Sequence, residues 1–197
     1  MPASPAPERE QSGGAGFAGA DMSSDAVEAA KAAALLFVAA IVQVAILGDV
    51  DILGGTPDLL LVTLVSIALL RGTIVGALGG FFAGLVVDTA TLGTMGLTSL
   101  LLTVAGYWIG RYGETTGRDR GHAPVLSVAV VTFVYAVGSL VVHFMLGRHA
   151  PAGTVLVDVW PSIALNLLLT APVHVVARRL LRPFDWSERA QEVRLLG

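Results

Sequence analysis

The chain of 197 residues is 54% hydrophobic and only 14% charged, with a mean hydropathy of +0.75, a balance that excludes an ordinary soluble domain and points to an integral membrane protein. A net charge of -3 and a pI near 5.7, with no dense basic face or arm, exclude a nucleic-acid partner. The absence of cysteine removes disulfides, thiolate nucleophiles and zinc–thiolate sites together.

Residues 1–28 are rich in Ala, Gly, Ser and Pro with scattered charges, a composition that buries too little apolar surface to order itself, so they are predicted to form a disordered cytoplasmic tail. The first apolar stretch begins after about thirty residues and is too long for the apolar region of a signal peptide. Six apolar segments follow, near 31–48, 57–70, 73–90, 95–110, 124–146 and 155–177. They predict one all-α, six-helix transmembrane domain over 29–182, with 183–197 as a second cytoplasmic tail. A span needs about 20 residues to cross about 30 Å of hydrocarbon, which the first, fifth and sixth segments supply. The second and fourth are short, and their length fits tilted spans, a locally thinned bilayer or a re-entrant pair equally well.

Basic residues favour the cytoplasmic side. Six spans with both termini cytoplasmic leave Arg148 as the sole basic residue outside, whereas omitting the second segment scatters the positive charge over both sides. Tyr107, Trp108 and Tyr112 then fall at the inner end of the fourth helix and Trp160 at the outer start of the sixth, where amphipathic rings settle. Thr56 followed by Pro57 reads as a capping hydroxyl before a good first helical residue. Asp58 therefore faces a helix N-terminus, either as simple dipole complementarity or as a partner contact.

The third segment carries Gly72, Gly76, Gly80 and Gly84 at four-residue spacing, ending on Asp88. In water each glycine would cost roughly 1 kcal/mol against alanine. In lipid, small residues four apart provide a groove for close backbone approach. The groove fits internal packing or a partner's single span, with Leu78, Phe82 and Leu85 on the far side. Asp88 near the helix end is either interfacial and hydrated or buried and hydrogen-bonded. The sixth segment holds a polar ladder, Asp158, Ser162, Asn166, Thr170, His174 and Arg178, and Tyr135, Ser139 and His143 form a similar stripe on the fifth. Polar groups within hydrocarbon turn inward, so these stripes are predicted to face one another, with Pro172 freeing the carbonyl of Leu168 beside His174. No acid lies mid-span to complete a proton relay. His122, His143, His149 and His174 lack the spacing of a helical zinc site, no serine has a recognisable His and acid partner, and no phosphate loop with a lysine occurs. The chain is predicted not to be an enzyme.

The runs GTPDLLLVTLVSIALLRG at 55–72, GFFAGLVVDTATLGTMGL at 80–97 and GYWIGR at 106–111, in this order and spacing, resemble the bacterial rod shape-determining membrane protein family MreD. The family's pattern maps onto Pro57 and Asp58, onto Gly80, Gly84 and Asp88, and onto Gly96. The resemblance implies a non-catalytic scaffold of the bacterial inner membrane, without cofactors, that serves cell elongation and peptidoglycan synthesis. It implies partnership with the bitopic periplasmic protein MreC, and through it with the actin-like MreB, the polymerase RodA and a penicillin-binding transpeptidase. A homodimer stays open. The family is also similar in architecture to the substrate-binding components of energy-coupling-factor vitamin transporters, which supplies the alternative function. The short outer connections, near 49–56, 91–94 and 147–154, supply little of the pocket that a transported ligand needs.

Overall fold

The computed structural model describes residues 14–48, 50–92, 95–116, 123–145, 147 and 152–181. Six helices follow one another: α1 (Gly14–Val42), α2 (Leu59–Arg71), α3 (Thr73–Ala90), α4 (Leu97–Thr116), α5 (Ala123–Met145) and α6 (Ala152–Leu180), with a π-helical turn, Gln43–Leu47, extending α1. The chain is thus an all-helical membrane protein. The reading of 1–28 as a disordered tail is corrected in part, because α1 already runs from Gly14. Its first turns alternate Ala15, Ala18 and Ala20, good helix formers, with Gly14, Gly16 and Gly19, poor ones. Glu28 is moreover tied to the bundle by an ion pair with Arg71. Residues 1–13 and the tail at 183–197 lie outside the described residues.

Alpha2 is the axis of the bundle and touches every other helix. Every position from Leu60 to Leu69 is buried, as expected of a helix that is apolar all round. This accounts for its brevity: 13 residues rise only about 20 Å, short of a bilayer core, but a helix wrapped by protein has no need to match lipid. Among the described residues, four helices contain stretches long and apolar enough to cross a membrane, at Ala26–Leu47, Thr73–Ala90, Ala123–Val141 and Val159–Leu180. They carry exposed apolar side chains outward, among them Phe37, Ile41, Leu78, Phe82, Val130 and Phe133. Such an apolar exterior suits lipid rather than water.

Several boundaries differ from the sequence expectation for local reasons. Gly72 is the turn between α2 and α3 rather than part of the third helix, since its φ of 91° is a left-handed conformation that glycine alone adopts without strain. Its N–H closes α2 on the carbonyl of Ala68 at 2.8 Å. Alpha4 continues beyond the expected end at residue 110 to Thr116, and residues 117–122 lie outside the described set. The last turn of α4 is retained because Glu114 has a bonding task there, described below. Alpha6 continues through Pro161 and Pro172 and starts and ends about three residues beyond its expected limits.

Candidate functional site

The α3–α4 pair is antiparallel and almost bare of side chains where it touches. A methyl group placed on Gly76 would lie 2.5 Å from the carbonyl oxygen of Gly106, and one on Gly80 would lie 2.6 Å from the carbonyl carbon of Leu102. One on Gly84 would lie 2.6 Å from the amide nitrogen of Ser99. From the other side, Gly106, Gly110 and Gly113 meet Gly76, Thr73 and Leu69. The glycine face of α3 is therefore filled by α4 of the same chain. Gly106 and Gly110 were legible in the sequence as a second four-residue step, and Glu114 continues it.

The same two helices cap one another. Asp88, 2% exposed, accepts hydrogen bonds from the N–H groups of Gly96 at 2.9 Å, Thr98 at 3.1 Å and Ser99 at 3.1 Å. These are donors at the first turn of α4 that no intrahelical carbonyl can satisfy. Ser99 adds a bond from its hydroxyl to the carbonyl of Phe81 at 2.9 Å. At the opposite end Glu114 accepts from the N–H of Thr73 at 2.8 Å and from its hydroxyl at 2.7 Å. Each carboxylate sits at the positive N-terminal end of its neighbour. Gly96, with a φ of 91°, makes the turn that aims these N–H groups at Asp88.

A second polar cluster gathers where α2 begins. Asp58 caps α2, accepting from the N–H of Leu61 at 2.8 Å, and its own N–H donates to Oδ1 of Asn166 at 2.7 Å. Nδ2 of Asn166 donates to the hydroxyl of Thr132 on α5 at 3.1 Å, and the hydroxyl of Thr170 donates to the Asn166 carbonyl at 2.7 Å. One buried amide thus joins α2, α5 and α6. Gln43, which the sequence reading passed over, brackets the same turn: its Oε1 accepts from the N–H of Leu59 at 2.8 Å and its Nε2 donates to the carbonyl of Pro57 at 3.1 Å. A lone amide in an apolar helix was its signal. Gly55 is pressed against α6, where a methyl group would lie 2.6 Å from the amide nitrogen of Ser162. Ser162 in turn accepts from the N–H of Thr56 at 3.2 Å.

Between this cluster and the facing sides of α5 and α6 lies a cavity of about 420 Å³, lined among others by Asp58, Thr132, Tyr135, Ser139, Ser162 and Asn166. Tyr135 and Ser139 of the α5 stripe and Ser162 and Asn166 of the α6 ladder thus line one space, which Thr170 and His174 do not line. His174 lies a turn deeper than Thr170; among the described residues its buried Nδ1 has no hydrogen-bond partner, nor has the buried hydroxyl of Ser66 on α2. Arg178 is exposed at the end of the ladder. The side chains of Asp158 and His143, together with His122 and His149, lie outside the described residues. A second hollow of about 460 Å³, almost wholly apolar, runs between α1 and α3 along Ala33, Phe37, Leu78 and Phe82. Among the described residues no cluster of acidic or histidine side chains is arranged to hold a metal.

A family model described as rod shape-determining protein MreD matches residues 30–184, a stretch that contains α2 to α6 and the second half of α1. No curated protein and no solved structure matches the chain.

Proposed function

The chain belongs to the MreD family, non-catalytic membrane proteins of rod-shape determination, and from this we propose that it is a scaffold of the cell-elongation machinery in the bacterial inner membrane. It partners MreC, and through MreC it links MreB, RodA and a penicillin-binding transpeptidase. Both termini face the cytoplasm, which places the starts of α2, α4 and α6 on the outer side. The family match carries this reading. The geometry supports it in a specific way: the close-packing glycines are spent inside the chain, on α3 and α4, so lateral contacts with partners fall to the outward apolar faces of α1, α3 and α5. In lipid such contacts rest on van der Waals fit and on small residues, not on a hydrophobic force.

The test is mild-detergent purification of the tagged protein from its native membrane, with mass spectrometry of what accompanies it. Recovery of MreC, RodA or the transpeptidase is the expected result. Recovery of a transmembrane coupling subunit with paired ATPases, and none of those, would overturn the scaffold reading in favour of vitamin uptake. Orientation is checked separately with single cysteines. One at Leu92, which is 91% exposed, should react with an impermeant reagent on intact cells, and one at Thr115 should not.

A further inference from the structure

The cavity at the head of α2 has a chemistry that its structural role does not require. Joining α2, α5 and α6 needs only the bonds of Asn166, yet beside that amide the helices stand apart around about 420 Å³, well inside the roughly 300–1,000 Å³ of small-molecule sites. Leu61, Leu140 and Val159 give it apolar walls, and the exposed turn at Asp51, Gly54 and Thr56 forms its mouth. Its ionisable lining is of one sign. Asp58 lies within and Asp51 at the mouth, and among the described residues no Lys, Arg or His lines it.

Those two carboxylates are not equivalent. Asp51 is exposed to solvent, and its Oδ1 is taken up by the N–H of Gly54 at 2.8 Å. Asp58 is half-buried at the head of α2, where its carboxylate receives the N–H of Leu61 and, among the described residues, no cation. Helix N-terminal donors offset a carboxylate charge only partly, and a charge partly withdrawn from water gains from a counter-charge. Tyr135 and Thr132 line the same cavity and carry hydroxyl oxygens, that of Thr132 already accepting from Nδ2 of Asn166 at 3.1 Å. A carboxylate, neighbouring hydroxyl oxygens and apolar walls together match a small organic cation that donates several hydrogen bonds.

We propose that this cavity binds a small primary amine in its ammonium form, with the ammonium group donating to Asp58 and to the neighbouring oxygens. The same group occurs on a free solute and on the headgroup of an aminophospholipid, and the mouth at the 51–56 turn is open to either. This does not rest on the scaffold reading, since an MreD-family scaffold and an uptake component are equally able to hold such a ligand.

The experiment uses the full chain in phosphatidylglycerol nanodiscs. Free ethanolamine is titrated against the thermal midpoint, with ethylene glycol as an uncharged probe of similar size. In parallel, discs containing phosphatidylethanolamine are examined by native mass spectrometry for retained lipid. Two variants separate binding from folding. Asp58→Asn removes the charge but keeps a good N-cap, and Ala136→Leu fills the cavity without touching the hydrogen-bonded cluster. Saturable stabilisation by ethanolamine, absent with glycol and weakened about tenfold or more by each variant, supports the proposal with a free solute as the source. Retention of phosphatidylethanolamine alone, lost in both variants, supports it with a lipid source. Binding of neither probe, equal response to glycol, or undiminished binding by folded Asp58→Asn protein overturns it.

Discussion

Replacing Gly80 by alanine isolates the claim that α3 and α4 are held by backbone contact. The added methyl group would stand 2.6 Å from the Leu102 carbonyl carbon and 3.0 Å from the Thr103 nitrogen, whereas carbon atoms rest at roughly 3.5–4.0 Å. The deficit is about 1 Å, and since both obstacles are backbone, no side-chain rotation relieves it. Alpha4 must move, which also disturbs the neighbouring levels at Gly76 and Gly84 and stretches the Asp88 bonds. Overpacking of this kind costs about 1–3 kcal/mol, and one or two weakened hydrogen bonds add about 1 kcal/mol each. Alanine returns at most about 1 kcal/mol through helix propensity. The net expectation is a loss of about 1–4 kcal/mol, read as a lower midpoint in thermal unfolding followed by circular dichroism in a mild detergent. Gly79 provides the control one residue away. A methyl group there would meet the Cδ1 end of Leu36 at 2.6 Å, a flexible tip that can turn aside, so Gly79→Ala should cost clearly less. If Gly80→Ala unfolds with the parent, or if Gly79→Ala is the more damaging of the two, backbone packing is not what holds this pair.

Asp88→Ala should destabilise by about 2–4 kcal/mol in the same assay, because it strands three N–H groups at a buried helix end. Glu114→Ala should cost less than about 1 kcal/mol, since Glu114 is solvent-exposed and water can replace it. Asn166→Leu should cost about 2–4 kcal/mol by leaving the Asp58 N–H without its acceptor, and hydrogen exchange should rise first at residues 58–61; unchanged exchange there would refute the clasp. Arg71→Ala removes both the ion pair with Glu28 and the bond from Nη2 to the Leu181 carbonyl at 2.9 Å. It should raise exchange at 26–36 of α1 and at the end of α6 together, whereas Glu28→Ala should raise it in α1 alone.

The glycine spacing and the apolar segments made the helices and one packing face legible in the sequence, because four-residue steps and apolar runs are properties of a single helix. What was not legible depends on which helices become neighbours. Asp88 was recognisable as a carboxylate closing a glycine face, but its partners are N–H groups 8, 10 and 11 residues on, on a helix whose direction the spacing does not encode. Gly72 was read as one more packing glycine, since a spacing of four looks the same whether its first member is in a helix or in the turn before it. Gln43 escaped notice because its task lies across the bundle, at Pro57 and Leu59. The brevity of α2 was visible but open to three accounts, and only its complete enclosure explains it.

The distribution of polar bonds separates the bundle into parts of different firmness. Alpha3 and α4 are fixed at both ends by carboxylates and between them by backbone contact, so they can move only as a unit. Near the head of α2, Asn166 joins it to α5 and α6 and Ser162 holds the turn before it, with the cavity beside them. Deeper in the same region, Ser66 and His174 keep buried polar atoms without hydrogen bonds, each costing roughly 1–3 kcal/mol if left so. Polar bonding is thus densest between α3 and α4, and the looser region is the one around the cavity shared by α2, α5 and α6. A partner or a ligand that acts on shape within this protein would act there, since elements with open cavities and unsatisfied polar groups have the lowest local cost of rearrangement.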